Sequence, residues 1–317
     1  MNNNKGIALV ITLLVLTLLL TIILEFSMDM RVEARSAANF RDEMQAYYLA
    51  KSGITFAIAV LEEDSVEDSK KDTKYDALNE FWAQKVPPVP VGDGTVTVEI
   101  TDEDSKIDIN KFDQKAKNLG GILAKDRRSL MSRLLKQFDV KEGLSDEIPD
   151  AIADFIDEDS DELPNGTESN YYEGLEEHYS AKNKPLDSLQ ELRMIKGIDG
   201  DLFSKLNKFL TVNSDGLINI NTASKEVLLS LSEDLTGEVV DEIIAYRGEN
   251  PFQKKLDVKN NISLADNVFN DLQKFIDVKS NFFSITSTGD VNNSRKTITA
   301  IVQRQNNKGT ILYWRIE

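Results

Sequence analysis

The chain of 317 residues has no cysteine, a single histidine and far fewer basic than acidic residues. Without cysteine there is no disulfide, no thiol nucleophile, no iron–sulfur cluster and no cysteine-ligated zinc. His178 alone cannot form a multi-histidine metal site, and no phosphate loop or nucleophile elbow accompanies it. Lys and Arg number 37 against 54 Asp and Glu, a formal net charge of −17. This balance argues against nucleic acid as a partner, because phosphate binding needs a basic surface.

One apolar run lies near the N-terminus, over residues 7–24, and contains no charged residue in 18 positions. That length is close to the ~20 residues needed to span a bilayer. Lys5 precedes the run and Glu25 follows it, which predicts a cytoplasmic N-terminus and places the rest of the chain outside. A cleaved signal peptide is the alternative, but the run is longer than a signal's apolar core and no small-residue cleavage site follows it. The run therefore predicts a single-pass anchor.

The segment after the apolar run continues as a helix. Residues 25–63 contain no proline and one glycine, Gly53, and their apolar residues recur every three or four positions. This pattern predicts one long helix over residues 7–63, of which residues 7–24 are transmembrane and the remainder is amphipathic.

Strand signals occur at both ends of the rest of the chain, with helical spacing between them. Period-two alternation or strand-like composition marks residues 95–101, 282–287, 296–303 and 311–316. Apolar residues at helical spacing mark residues 124–138, 149–156, 188–195, 202–210, 225–231 and 238–247. The predicted fold class is α+β. Residues 64–110 and 278–317 form a discontinuous domain with an antiparallel sheet, and residues 111–277 form a mostly helical domain inserted into it.

The N-terminus resembles the type IV pilins and pseudopilins, because Lys5-Gly6 directly precedes the apolar helix. In that family a prepilin peptidase cuts after the glycine and the new first residue is N-methylated. The resemblance therefore implies a leader of residues 1–6, cleavage after Gly6 and methylation of Ile7. Most such subunits carry Glu at the fifth mature position, where this chain has Ile11. That departure is typical of the K-type minor pseudopilin of the type II secretion system.

Four further segments resemble K-type pseudopilins: DEDSKIDIN, AIADFIDEDSDELPNGTESNYY, KPLDSLQELRMIKG and ININTASKEVLLSL. With the N-terminus, the resemblance covers nearly the whole chain and implies a pilin-like sheet. It implies a subunit that caps the tip of the periplasmic pseudopilus and helps initiate its assembly for export of folded proteins across the outer membrane. The implied location is the inner membrane of a Gram-negative bacterium, with the C-terminal domain in the periplasm. The implied partners are the I- and J-type minor pseudopilins, other pseudopilins and the processing peptidase, with secreted cargo as a further candidate.

Residues 218–251 also resemble a helix-hairpin-helix module, a fold often used on DNA backbones, and a weaker copy lies around residues 186–210. The hairpin position reads SEDLTGEVV, with two acids and one glycine. DNA binding needs glycine-rich amides and nearby cations there. We interpret the module as scaffold, which leaves a membrane-tethered DNA receptor as the weaker alternative.

An acidic stretch follows the first predicted helices of the insert. Residues 141–179 contain 14 carboxylates and one Lys, interspersed with apolar residues such as Phe155 and Tyr172. Crowded carboxylates on an ordered segment need a cation or protons to offset their repulsion. Calcium suits such a segment, because it accepts six to eight oxygen ligands in irregular geometry.

The spacing narrows this prediction to particular residues. With Asp157 as position one, Asp159, Asp161, Asn165 and Glu168 take positions three, five, nine and twelve of an EF-hand loop. Position six, which requires glycine, is a glutamate, so a different backbone path is expected. Asp154, one helical turn earlier, adds a further carboxylate.

In K-type pseudopilins this region binds calcium, so the resemblance implies the same ion. The predicted ligands are Asp154, Asp157, Asp159, Asp161 and Glu168. One alternative is a solvated acidic loop. The other is a membrane-anchored periplasmic metal-dependent enzyme, which requires an open coordination position and a nearby base.

Overall fold

A computed structural model describes residues 4–71, 74–113, 124–138, 140–141 and 143–317, so residues 1–3 of the predicted leader lie outside it. The helices are α1 (Asn4–Lys71), α2 (Ala124–Lys136), α3 (Leu144–Ile156), α4 (Ser169–Glu173), α5 (Gly200–Leu206), α6 (Lys225–Ser230), α7 (Gly237–Glu249), α8 (Lys255–Asn261) and α9 (Asp266–Phe275). The strands are β1 (Val89–Val91), β2 (Gly94–Asp102), β3 (Ile107–Asp108), β4 (Leu210–Thr211), β5 (Ile218–Asn219), β6 (Ile276–Asp277), β7 (Phe282–Val291), β8 (Ser294–Gln305) and β9 (Lys308–Ile316).

The first helix, α1, has 68 residues and is about 100 Å long at 1.5 Å per residue. Within the described residues it holds the one stretch long and apolar enough to cross a membrane, and none of that stretch is buried in the chain. The helix continues eight residues past residue 63, where the apolar spacing ends. No proline or glycine interrupts residues 64–71, and the Lys71–Glu67 ion pair with the two lysines of the last turn favours a helical end.

The sheet has five strands in the order β1-β2-β7-β8-β9, all paired antiparallel. One face of the sheet is covered by α1, which packs on β2, β7 and β8 and encloses a core that includes Ile54, Leu61 and Phe283. Gly53 and Gly289 allow this close approach. A Cβ at either position would collide, at Gly53 with Ser287 and at Gly289 with the carbonyl of Ala46.

The insert leaves the sheet after β2 and returns at β7, and it has a second, larger core of its own. Its helices pack mainly in the pairs α2–α3, α2–α6 and α6–α7, and two short parallel pairs, β3–β4 and β5–β6, complete it. The predicted fold class is confirmed. A long N-terminal helix and an antiparallel sheet are interrupted by a mostly helical domain.

Several predicted helices differ in detail. The segment predicted over residues 188–195 is a 3₁₀ helix, Leu189–Met194, closed by a capping box between Ser188 and Glu191. The helix predicted to reach residue 210 ends at Leu206, because Leu210 pairs in parallel with Ile107 instead. Helices α4, α8 and α9 were not predicted.

The junction between insert and sheet is a buried polar network. Asp102 accepts hydrogen bonds from Thr222 and Ser280, at 2.5 and 2.6 Å. Asp104 accepts from three backbone amides, those of Asp215, Asn281 and Phe282. These hydrogen bonds connect the end of β2 and the start of β7, where the chain enters and leaves the insert, to residues of the insert. The sheet and the insert are therefore held in one arrangement.

Candidate metal site in the acidic loop

The acidic loop begins where α3 ends. Asp154 lies in the last turn of α3, and Asp157 caps the helix by donating its backbone N–H to the carbonyl of Ala153 at 2.9 Å. Asp157 then adopts an extended conformation, which turns the chain out of the helix. Phe155 and Tyr172 pack edge to face at 5.3 Å between ring centroids and fasten the two ends of the loop together. An apolar core therefore orders this acidic segment.

Three of the five predicted ligands converge. Asp157, Asp159 and Glu168 can each present an oxygen such that all three atoms lie within 4.8 Å of one another. They occupy positions one, three and twelve of the predicted loop. The Asp159 side chain also accepts the backbone N–H of Asp161 at 3.0 Å, which shapes the turn between them.

The two other predicted ligands lie elsewhere. Asp154 is fully buried, and its carboxylate accepts the backbone N–H of Leu163 at 3.1 Å. Gly166 packs so closely on that carboxylate that any Cβ would collide with it. The side chain of Asp161 is exposed and outside the converging group. Asn165, at the ninth position, donates to Asp150 at 3.3 Å.

Three oxygens of the converging group, two from Asp157 and one from Glu168, are buried without hydrogen-bond donors. Asp157 is 1% exposed and Glu168 is 6% exposed. No donor lies in good hydrogen-bond geometry to either oxygen of Asp157 or to Oε1 of Glu168 in the described chain, and the backbone N–H of Asp159 makes only a weak contact that slightly lowers the pKa of Asp157. An unsatisfied buried carboxylate costs several kcal/mol unless a cation or a proton compensates it (about 1–3 kcal/mol for a neutral group, more for a charged one).

The electrostatics of the loop agree with that cost. Burial, with the charges of Asp159 and Glu168, raises the pKa of Asp157 to about 6. Burial, with the charges of Glu168 and Asp157, raises the pKa of Asp154 to about 7. Burial also raises the pKa of Glu168. The site therefore carries excess negative potential that a bound cation would relieve.

Two other acidic clusters provide a contrast. Asp64, Asp76 and Glu80 also bring carboxylate oxygens together, but Arg304 donates to both Asp64 and Asp76, so a cation is already in place. In the junction network the carboxylate of Asp104 is satisfied by backbone amides. Within the described residues, only the acidic loop combines converging carboxylates with orphaned buried oxygens. Its all-oxygen donor set fits a hard cation such as calcium.

Sequence spacing could not reveal everything that shapes the site. The converging residues stand at the first, third and twelfth positions of the count, whereas the hydrogen bonds of Asp154 and Asn165 to other groups depend on the folded path. The spacing count assigned no role to Gly166, which entered only as one of the positions that match the K-type pattern. Its role emerges only from its contact with Asp154.

Comparisons with known proteins bear on the whole chain. Two family models match it, both described as "Type II secretion system (T2SS), protein K", over residues 105–215 and 218–279. Together the two ranges span more than half of the sequence. The chain belongs to the type II secretion system protein K family. This membership makes it a minor pseudopilin, and the resemblance found in the sequence is confirmed.

Relatives named protein K that match over most of their length support the same family assignment. Type II secretion system protein K of Aeromonas hydrophila is 27% identical over 97% of this chain and 95% of its own length. The protein K of Pseudomonas aeruginosa is 26% identical over 94% of this chain and 88% of its own. A chain from the crystal structure of the GspK–GspI–GspJ complex of the enterotoxigenic Escherichia coli type 2 secretion system matches with a TM-score of 0.71. That match has 21% identity and covers 90% of this chain and 99% of the other, so it supports the fold.

Proposed function

We propose that this K-family subunit caps the tip of the periplasmic pseudopilus and helps to initiate its assembly. The observation that carries the proposal is the insert, which has its own core and packs against Tyr75, just past the end of α1. In a pilus assembled by packing N-terminal helices, so large a block at the far end of the helix fits best where no subunit follows. Ile11 agrees, because a capping subunit needs no carboxylate for the amine of a subunit above it.

The apolar part of α1 fits a single-pass anchor in the inner membrane. We place the sheet and the insert in the periplasm, because Lys5 precedes the apolar stretch and acidic residues follow it. Gly6 is exposed, with nothing within 4 Å of the position of a Cβ, so the predicted cleavage point is sterically accessible. Cleavage there by a prepilin peptidase and methylation of Ile7 belong to the same proposal.

The partners we propose are the I- and J-type minor pseudopilins, since the similar fold was solved in a complex of those three components. Outside the apolar stretch, α1 exposes further apolar residues, including Phe40, and these offer a helix-packing surface. The test is capture of I- and J-type subunits by the tagged full chain from detergent-solubilised membranes. Phe40→Glu should lower the capture of both. Leu256→Glu, the same change at an exposed apolar position of the insert, should not.

Capture of neither subunit by the unaltered chain would overturn the proposed partners. Equal losses of capture in the Phe40→Glu and Leu256→Glu variants would indicate that the contact does not lie on α1.

We further propose that calcium is held by Asp157, Asp159 and Glu168, with Asp154 fixing the loop behind them. The support is the set of buried carboxylate oxygens that lack hydrogen-bond partners. In a chain without disulfides, a metal ion can fasten an irregular loop outside the cytoplasm. Its proposed role is structural, and the mechanism of the subunit is assembly through packing.

A further inference from the structure

The cover that α1 gives to the sheet is uneven. The helix packs on β2, β7 and β8, while the sheet extends one strand further at this side, to β1. Strands lie about 4.8 Å apart and a helix with its side chains is about 10 Å across, so a single helix cannot cover five strands. There is room beside α1 for a second helix, over β1 and the outer side of β2.

An apolar cavity of about 240 Å³ lies in this uncovered part, between α1 and the β1 edge of the sheet. We call it the β1 trough. Ser52 and Gln84 are the polar side chains that line it, and none of its described lining residues is charged. The apolar lining includes Phe56 and Val60 of α1, Phe81, and Val91, Val96 and Val98 of the sheet.

The floor of the trough consists of valines that face the same side as α1. A Cβ at Gly53 of α1 would lie 2.8 Å from Val98 and 3.0 Å from Val96, so both side chains point toward the helix. Val89 of β1 pairs directly with Val96, and paired residues point to the same face. Val91, two positions on, shares that face and is 45% exposed. The apolar floor therefore continues beyond the reach of α1.

One wall of the trough is an exposed aromatic ring on a fixed support. Trp82 is buried, packs edge to face on Phe283 at 5.2 Å between ring centroids, and donates its indole N–H to Glu80 at 2.9 Å. These contacts fix the short 3₁₀ helix that begins at Phe81 and leave Phe81 itself 65% exposed. Phe56, on the α1 wall, is 54% exposed. Two such rings beside an apolar floor mark an interaction surface.

The position of the trough excludes two kinds of occupant. Phe56 lies 32 positions after Leu24, the last residue of the apolar run, which is about 48 Å along the helix. Acyl chains of the membrane that holds α1 cannot reach so far. A further strand is disfavoured because β1 has three residues and contains Pro90, which has no N–H to offer. The trough opens on the face of the sheet, where a helix packs through its side chains.

The surface of α1 indicates where such a helix comes from. Phe40, Tyr48 and Phe56 are exposed and recur every eight residues, with Met44 and Ser52 at the positions halfway between them. Residues spaced by four form a ridge along a helix, and a second helix packs against such a ridge. This ridge leads from the membrane side of α1 to the trough. A helix that follows it is therefore anchored in the same membrane.

A second copy of this chain is a poor occupant. Its α1 would lie in the trough of the first copy, and its own trough would remain free for a third copy. Such a head-to-tail contact repeats into an open filament, which is incompatible with a cap. The occupant is therefore a different subunit with a long membrane-anchored helix.

We propose that the β1 trough receives the N-terminal helix of a neighbouring pseudopilin, a proposal that rests on the assembly by helix packing proposed above. The part of that helix outside the membrane would lie beside α1, over β1 and β2. Its apolar ridge would contact Phe56, Phe81 and the valine floor.

The experiment places a photo-cross-linking phenylalanine analogue at Phe81 of the full chain, in membranes of cells that produce the other pseudopilins. The control position is Leu256, which is equally apolar and exposed but lies on the insert. Adducts are digested and the partner peptide is identified by mass spectrometry. We expect a Phe81 adduct several times above the Leu256 background, on the extramembrane part of the N-terminal helix of another pseudopilin.

Two variants of the Phe81-labelled chain test the trough itself. Phe56→Asp on the α1 wall and Val91→Asp on the floor should each lower the adduct yield at least about tenfold, because a carboxylate would lose its water against an apolar helix. Leu312→Asp makes the same change at an exposed position of β9, outside the trough, and should leave the yield unchanged. If one trough variant lowers the unfolding midpoint, the other decides.

Four results would overturn the trough as a helix site. They are a Phe81 yield no higher than that of Leu256, an adduct between two copies of this chain, an adduct outside the N-terminal helix of a pseudopilin, and a yield that neither Phe56→Asp nor Val91→Asp lowers more than Leu312→Asp does. Capture of I- and J-type subunits by the tagged chain separates this failure from that of the proposed function. Intact capture without a Phe81 adduct overturns the trough alone, whereas loss of capture overturns the proposed partners as well.

Discussion

Removing calcium should destabilise the insert while leaving the α1–sheet unit largely unaffected. An ion that binds Asp157, Asp159 and Glu168 only in the folded chain stabilises that state by linkage. Sites outside the cytoplasm have dissociation constants of about 10⁻⁴–10⁻³ M. A hundredfold excess of free calcium over that constant adds about 2.7 kcal/mol. For a unit of this size each kcal/mol moves the midpoint by about 2–4 °C, so we expect a rise of about 5–11 °C.

The assay is differential scanning calorimetry of the processed chain in detergent, with calcium, with magnesium and with chelator. Trp82 and Trp314 both belong to the core beneath α1, so tryptophan fluorescence reports that unit and serves as an internal control. Magnesium should raise the midpoint less than calcium, because it demands a tight octahedron and retains its water. The calorimetric transition of the insert should therefore respond to calcium more than the tryptophan signal does.

Two variants isolate the site. Asp159→Ala should remove most of the calcium-dependent rise, because it removes one of the three converging carboxylates. Asp146→Ala changes an exposed acid in the first turn of α3, outside the group, and should keep the full rise. A rise with calcium no greater than with magnesium, or an Asp159→Ala chain that keeps the full rise, would refute the site.

Three further predictions concern the N-terminus and the buried Asp108 of β3. Intact mass of protein from membranes should correspond to 311 residues, the 317 of the sequence without residues 1–6; full-length mass, or loss of the whole apolar stretch, would contradict the pilin-like leader. Ile11→Glu should impair secretion, since an unpaired intramembrane carboxylate costs about 2.5–3.5 kcal/mol; an unchanged secretion assay would argue against a cap without a neighbour above it. Burial raises the pKa of Asp108 to about 6, so its contribution to stability is full below about pH 4 and is lost as pH rises through about 6. Asp108→Asn should reduce the fall in unfolding free energy between pH 4 and 7 by about 3 kcal/mol in urea titrations, and an unchanged pH profile would contradict the raised pKa.

Periodicity predicted the elements whose stability is local or whose faces are uniformly buried. The strands β2, β7, β8 and β9 and the helices α1, α2, α6 and α7 all lie where apolar spacing indicated. Helix α9 carries a readable signal that was missed, since Val268, Phe269, Leu272 and Phe275 form one buried face. The parallel pairing of β3 with β4 had no such signal. Each strand has two residues and depends on a partner about a hundred positions away.

In the acidic loop, too, part of the geometry could be predicted from the sequence and part could not. Spacing alone brought Asp157, Asp159 and Glu168 together, because a turn of this length returns the chain to the end of α3. The position of Asp161 depended on the sharp turn that glycine gives at position six, and Glu162 stands there instead. Orphaned oxygens are a property of the folded environment, so no pattern of residues could have separated this acidic cluster from the one that Arg304 neutralises.

The position of a capping subunit on the pseudopilus can be observed directly. An epitope inserted between Glu176 and Glu177, both exposed on the insert, can be labelled with gold on pseudopili sheared from cells that overproduce the major subunit. If the chain is the cap, each pilus carries a single label at one end. Labels spaced along the shaft would contradict it, because a subunit whose insert blocks further stacking cannot lie within the pilus.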